Sequence, residues 1–76
     1  MFKIKFNEEE LYNIKNNNIE ALKISMNNYR LWNTQNMEAL STKISENADI
    51  KIIKNYIKII EYNNIKANEL EFIINR

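Results

Sequence analysis

The segment IKIIKNYIKIIE, residues 50–61, carries the clearest pattern in the chain and decides how the rest is interpreted. Isoleucine and tyrosine recur at intervals of three and four residues, while most of the positions between them hold lysine, asparagine or glutamate. This spacing matches the 3.6-residue period of an amphipathic helix over three turns. Asp49 directly before it has a side chain suited to cap a helix N-terminus. We therefore predict a helix that begins after Asp49 and ends at Asn63 and Asn64.

Upstream of this helix the pattern changes twice. Residues 2–6 alternate between apolar and basic side chains, which is the two-residue period of a half-buried strand. Asn7 precedes Glu10 by three residues, the spacing of a capping box, so a long helix is predicted to follow. Residues 31–34 interrupt the helical period, and a short second helix is predicted from there to Ile44.

Downstream, residues 69–75 alternate between apolar and mostly polar side chains, which predicts a second strand. Asn68 stands three residues before Glu71, so a short terminal helix is the alternative. We prefer the strand because an N-terminal strand needs a partner. The predicted fold is one small α+β, mostly helical domain over residues 1–76, ordered strand, helix, short helix, helix, strand, with a small two-stranded sheet. An all-α small bundle is the alternative.

The composition excludes most enzyme classes. The 76 residues include no His, Cys, Gly or Pro. Histidine is the commonest general base and metal ligand, thiolates are the other common ligands of transition metals, and glycine-rich loops cradle phosphates. A core this small rarely encloses a substrate pocket. We therefore expect no enzymatic activity, no catalytic residues, no metal site, no cofactor and no small-molecule substrate.

Two residue types dominate the chain, which holds 15 asparagines and 14 isoleucines but no valine. Their codons are rich in A and T, which indicates a low-GC bacterium or its phage. Since glycine is absent, turn positions that need positive φ are expected to fall to asparagine. The clusters at residues 16–18, 27–28 and 63–64 are the expected turn sites.

Charge and hydropathy indicate the cellular location of the protein and limit the classes of partner expected for it. The net charge is +1 and the pI is about 7.9, below the range typical of dedicated nucleic-acid binders. The longest apolar run is three residues, 72–74, far short of the roughly 20 that span a bilayer. No membrane association is expected, and the predicted location is the cytoplasm of a bacterium or a phage-infected cell.

The C-terminal part of the chain also suggests a nucleic-acid interface. A short helix ending near Ser45, the helix over residues 50–61 and a strand after Asn64 follow in the order of a winged helix-turn-helix domain, which residues 34–75 resemble. In that family the second helix enters the major groove of duplex DNA. Lysine binds phosphates and asparagine can pair with adenine; a solvated helix face is the alternative interpretation. The resemblance implies a DNA-facing set of Lys51, Lys54, Asn55 and Lys58.

Aromatic residues suggest a protein interface instead. Trp32 is the only tryptophan, with Tyr29 and Arg30 close by, and these three types dominate binding hot spots. A core position at a helix junction is the alternative for Trp32. Trp32, with Asn33 and Thr34 where the family has a variable residue and glycine, also resembles the WXG-type secreted helical hairpins. The candidate partner-binding residues are Tyr29, Arg30, Trp32, Tyr56 and Tyr62.

Taken together, size, composition and surplus hydrophobicity predict a binding protein. Isoleucine and tyrosine cover more than half of the helix over residues 50–61, so a homodimer or a larger partner is expected to cover part of it. We predict a non-enzymatic small regulator that binds a larger protein or nucleoprotein complex and blocks or modulates it. Phages and mobile elements encode such proteins, for example anti-CRISPR and other anti-defence inhibitors. The alternative is a small winged-helix DNA-binding transcriptional regulator that binds duplex DNA.

Overall fold

The computed structural model describes residues 5–76, which fold into three α-helices. They are α1 (Glu8–Lys15), α2 (Ile19–Ser45) and α3 (Ile50–Asn75). α2 and α3 hold 27 and 26 residues and are each about 40 Å long. They pack against each other as an antiparallel hairpin, and α1 packs at the end of the hairpin away from the α2–α3 turn.

Local capping explains where the helices begin. The predicted capping box is confirmed: Asn7 Oδ1 accepts from the backbone N–H of Glu10 at 2.7 Å, and Glu10 Oε1 accepts from the backbone N–H of Asn7 at 2.8 Å. The predicted cap at Asp49 is also confirmed, because its Oδ1 accepts from the N–H of Lys51 at 3.0 Å. Both contacts satisfy amides that have no partner within the helix.

Asparagine takes the left-handed turn positions, as the absence of glycine predicts. Asn17, between α1 and α2, has φ 55°, and Asn47, between α2 and α3, has φ 56°. The prediction of a turn at residues 16–18 is therefore confirmed, whereas the single long helix predicted after Asn7 is wrong, because this turn divides it into α1 and α2. The pairs at residues 27–28 and 63–64 lie inside helices, so the turns predicted there are wrong. Local sequence permits a turn at each cluster, and tertiary packing selects which ones form.

The predicted α+β class is wrong, and the described residues form the all-helical alternative. Residues 69–75 continue α3 instead of forming a strand, and residues 5–7 are irregular. The rest of the predicted N-terminal strand lies outside the described residues. Buried Lys66, Ala67 and Leu70 repeat at helical spacing across the proposed boundary. Their burial against the other helices outweighs the period-two pattern of residues 69–75.

The predicted break at residues 31–34 is also wrong, because α2 runs through it without interruption. Polar side chains here bond back to the preceding turn: Thr34 Oγ1 donates to the carbonyl of Arg30 at 3.1 Å, and Asn36 Nδ2 donates to that of Trp32 at 2.8 Å. These bonds satisfy the polar groups of Thr34 and Asn36 within the helix, although neither residue type favours a helix interior. Trp32 consequently lies in the middle of a long helix and not at a helix junction or in a turn.

The core occupies only one end of the hairpin. Its buried apolar side chains are Leu22, Ala67 and Leu70, and no described residue from 23 to 62 is buried. Asn33 lies within this unburied part of α2, and its Oδ1 is enclosed without a hydrogen-bond partner in the described structure. The remaining buried residues are the polar or charged Glu10, Asn13, Asn63 and Lys66.

Candidate functional site

A buried ion pair joins α1 to α3. Lys66 is only 1% exposed, and its Nζ donates to Glu10 Oε1 at 2.6 Å. The other carboxylate oxygen, Oε2, accepts from Tyr29 Oη of α2 at 2.7 Å. Together with the backbone N–H of Asn7, these donors satisfy both oxygens of Glu10. One carboxylate therefore connects all three helices.

Three aromatic rings enclose the ammonium group of Lys66. Its Nζ lies 4.8 Å from the ring centroid of Phe6, 5.5 Å from that of Tyr29 and 5.6 Å from that of Tyr62. At these distances the π-faces attract a cation and replace part of its lost hydration. The carboxylate and the rings together make burial of this charge tolerable, since an unpaired buried charge is costly.

The network also sets the protonation of its members. Burial acts to raise the pKa of Glu10, but the hydrogen bonds from Lys66, the Asn7 amide and Tyr29 outweigh it and hold this pKa below its usual value. Burial, followed by the hydrogen bond to Glu10, raises the pKa of Tyr29. Tyr29 therefore remains a protonated donor at neutral pH. Because Glu10, Lys66 and Tyr29 bind one another, this cluster positions the helices and fixes the Tyr29 ring.

The folded protein is expected to lose stability in acid because Glu10 becomes protonated. A carboxylate whose pKa is lower in the folded than in the unfolded chain stabilises the fold at pH values above its unfolded pKa, which is near 4.5. This stabilisation is lost as the pH falls through the folded pKa. Thermal unfolding followed by circular dichroism should show Tm falling below that pH. In Glu10→Gln, which cannot ionise here, this acid limb should be shallower, although the variant starts from a lower Tm. Parallel acid limbs in the two proteins would contradict this assignment.

A cleft between α1 and α2 lies beside the ion pair. It has a volume of about 360 Å³. The Trp32 ring packs edge-on against Tyr29, with centroids 5.5 Å apart and planes at 90°, and the Trp32 side chain is 47% exposed. Tyr29 therefore links the rigid ion-pair cluster to an accessible aromatic surface. The cleft is lined by Asn7, Glu9, Glu10, Asn13, Ala21, Ile24, Ser25, Asn28, Tyr29 and Trp32.

The structure brings together some of the predicted partner-binding residues and separates others. Tyr29 and Trp32 meet at the cleft. The Tyr62 ring lies close to Tyr29, because both rings flank the Lys66 ammonium. Arg30 instead donates to Glu71 Oε2 of α3 at 2.8 Å in an exposed ion pair. Tyr56 lies half-buried in the part of α3 nearer the turn.

The predicted DNA-facing residues lie in the first turns of α3, and all of them are exposed. The wing that the winged-helix resemblance requires does not form in residues 5–76, because α3 continues to Asn75. The resemblance therefore does not describe the fold. These four side chains remain a polar, basic stretch of an ordinary surface helix: Lys51, Lys54, Asn55 and Lys58.

Sequence reasoning missed the ion pair. Glu10 is recognisable as a capping residue, but nothing local indicates a partner 56 residues away. A weak signal for Lys66 exists: it lies three residues after Asn63 and four before Leu70, on the same helix face as both. A lysine within a buried helical face predicts a buried counter-charge, and the identity of that counter-charge comes only from the packing.

Metal and membrane sites receive no support from residues 5–76. Within that range, no three acidic side chains converge as metal ligands do. None of the three helices is both long and apolar enough to cross a bilayer. No family model matches the chain, and no curated protein or solved structure shows significant similarity to it.

Proposed function

We propose that this protein is a non-enzymatic regulator that binds a larger protein or nucleoprotein complex through the cleft between α1 and α2, and blocks or modulates it. One observation carries the proposal: a half-exposed tryptophan stands beside a tyrosine whose ring is held in place by a buried ion pair. Tryptophan and tyrosine supply most of the energy at many protein interfaces, particularly when they sit at a concave site.

The hydrogen bonds that hold Tyr29 in place favour binding, because the Tyr29 side chain is already ordered before a partner arrives. Its hydroxyl is fixed by Glu10, and Glu10 is fixed by Lys66 and by the backbone of Asn7. A side chain that is immobile before binding loses little entropy when a partner arrives. Trp32 packs on this fixed ring, so both aromatic faces are presented in a defined geometry.

The lining of the cleft indicates what kind of partner group it takes. Glu9 provides an exposed carboxylate, Asn28 an amide, and Trp32 an aromatic face. An arginine or lysine side chain matches this set, because its stem packs on the ring while its charged end meets carboxylate and amide oxygens. A volume of about 360 Å³ suits one or two such side chains of a partner surface.

The composition indicates which kind of genome encodes such a regulator. Its excess of residues that A- and T-rich codons encode, and its small size, are typical of proteins of low-GC phages and mobile elements. The proposed class is therefore an inhibitor that acts in the cytoplasm of a bacterial host, such as an anti-CRISPR or another anti-defence protein, with the docked partner as its target.

The test begins with tagged-protein pull-downs from a low-GC bacterial host, run in parallel with and without nuclease treatment, followed by measured affinities for the protein recovered. Trp32→Ala is expected to weaken this affinity by at least about 2 kcal/mol, or roughly 30-fold. Phe72→Ala, which removes an exposed aromatic side chain of α3 that lies outside the cleft, should leave it unchanged. Circular dichroism of both variants confirms the fold. Equal binding by wild type and Trp32→Ala would reject the cleft as the docking site.

The same material distinguishes the DNA-binding alternative. Recovery of nucleic acid in place of protein, with a salt-dependent shift of duplex DNA that weakens in Lys54→Ala and Lys58→Ala, would replace the proposal. The cleft proposal expects no such shift, since the charged side chains that line the cleft, Glu9 and Glu10, are acidic and repel phosphate.

A further inference from the structure

The half of the hairpin next to the α2–α3 turn has an uncovered apolar surface. No described residue from 23 to 62 is buried, although this stretch contains most of the isoleucines of α3. A chain of this size needs more than Leu22, Ala67 and Leu70 to be stable alone, and small domains commonly gain the remainder by associating. The exposed apolar side chains of this half include Met37, Ile44, Ile50, Ile52, Ile57 and Ile59.

Some of these side chains form a groove between α2 and α3. It has a volume of about 320 Å³ and is mostly apolar. It is displaced from the cleft along α2, because the α2 residues that line the cleft lie between 21 and 32 and those that line the groove lie between 37 and 44. At 100° per residue the two sets also point in mean directions about 140° apart. The groove is lined by Met37, Leu40, Ser41, Ile44, Ile57, Ile60 and Glu61.

We propose that this groove is covered by the same groove of a second copy of the chain, with the two α3 helices antiparallel. The result is a two-fold symmetric homodimer with four helices around a shared apolar layer. Antiparallel α3 helices follow from two-fold symmetry with the axis perpendicular to them, which brings the same patch of each copy into contact.

The distribution of charge along α3 favours a second copy of the chain as the occupant of the groove. The exposed charges before residue 61 are all basic, and those from 61 to 75 are all acidic. Two such helices laid antiparallel place each basic half opposite an acidic half, while a parallel arrangement opposes like charges. The basic set is Lys51, Lys54 and Lys58, and the acidic set is Glu61, Glu69 and Glu71.

The dimer is independent of the proposed function because it uses a different stretch of α2, nearer the α2–α3 turn than the cleft. Both clefts stay accessible in the dimer, so one assembly presents two docking sites. Loss of dimerisation and loss of partner binding are therefore separate outcomes.

The first experiment measures mass by sedimentation equilibrium and uses a matched pair of substitutions. Ile57 in the groove and Ile52 on another face of α3 are 41% and 42% exposed, so their replacement by glutamate differs chiefly in location. We expect wild type at twice 9.2 kDa near 100 µM, about 100-fold weaker association in Ile57→Glu, and a dimer in Ile52→Glu. A monomeric wild type, or equal weakening by both substitutions, would overturn the proposal.

The second experiment tests the antiparallel arrangement by reversing charge. Lys54→Glu/Lys58→Glu makes the exposed charges of α3 predominantly acidic, and Glu61→Lys/Glu69→Lys makes them predominantly basic. Each variant alone is expected to dissociate, and an equimolar mixture is expected to form a heterodimer, with helicity unchanged by circular dichroism. A mixture that stays monomeric shows that α3 does not meet α3 in this orientation, and the proposal fails.

Discussion

Lys66→Met is expected to lower the free energy of unfolding by about 3–5 kcal/mol, which is a large part of what a chain of this size possesses. The substitution keeps the length and apolar stem of the side chain but removes the ammonium. Glu10 is then left buried with its charge and without its closest partner at 2.6 Å. The measurement is chemical denaturation followed by circular dichroism at one fixed protein concentration, because association also contributes to stability.

Two further variants isolate the cause. Arg30→Met removes the exposed ion pair with Glu71 and is expected to cost no more than about 1 kcal/mol, since solvent screens such pairs. Lys66→Met/Glu10→Gln removes both charges and is expected to recover a substantial part of the loss, because no buried charge remains unpaired. If Lys66→Met and Arg30→Met have similar small effects, the buried pair is not what holds α1 to the hairpin.

Leu70→Ala is expected to destabilise the protein by about 2–5 kcal/mol, because Leu70 is 0% exposed and belongs to a core with few other apolar members. Phe72→Ala, two residues away, should change stability by less than about 0.5 kcal/mol, since Phe72 is 72% exposed. Denaturation curves of the two variants measure the difference directly.

This pair also distinguishes a helix from a strand at the C-terminus. In a strand, residues 70 and 72 point to the same face, and both substitutions would be costly. In α3 they lie 200° apart, so only one is buried. Similar losses for Leu70→Ala and Phe72→Ala would contradict the helical assignment of residues 69–75.

The candidate site was only partly predictable. Trp32 and Tyr29 are recognisable from residue type alone, because an isolated tryptophan near tyrosine and arginine is typical of an interface. That they flank a cleft, and that Arg30 instead pairs with Glu71, depends on where α1 and α3 lie. The role of Lys66 has only the weak signal of its spacing from Asn63 and Leu70, since a lysine in an amphipathic segment ordinarily faces solvent.

Sequence alone determined the features that depend on neighbours a few residues apart. The capping box of Asn7 and Glu10, the cap at Asp49 and the left-handed turn in the cluster containing Asn17 formed as local chemistry predicts, and the helix over residues 50–61 followed its apolar period. Each of these depends on contacts that close within one helical turn.

Only the tertiary structure decided the α-helical class, the continuity of α2 through residue 32 and the course of α3 past residue 64. Asparagine-rich segments have weak local preferences, so packing between distant segments determines whether they form turns or helices. The ion pair between Glu10 and Lys66 also depends on the tertiary structure, because a buried charge acquires its partner only when separate helices come together.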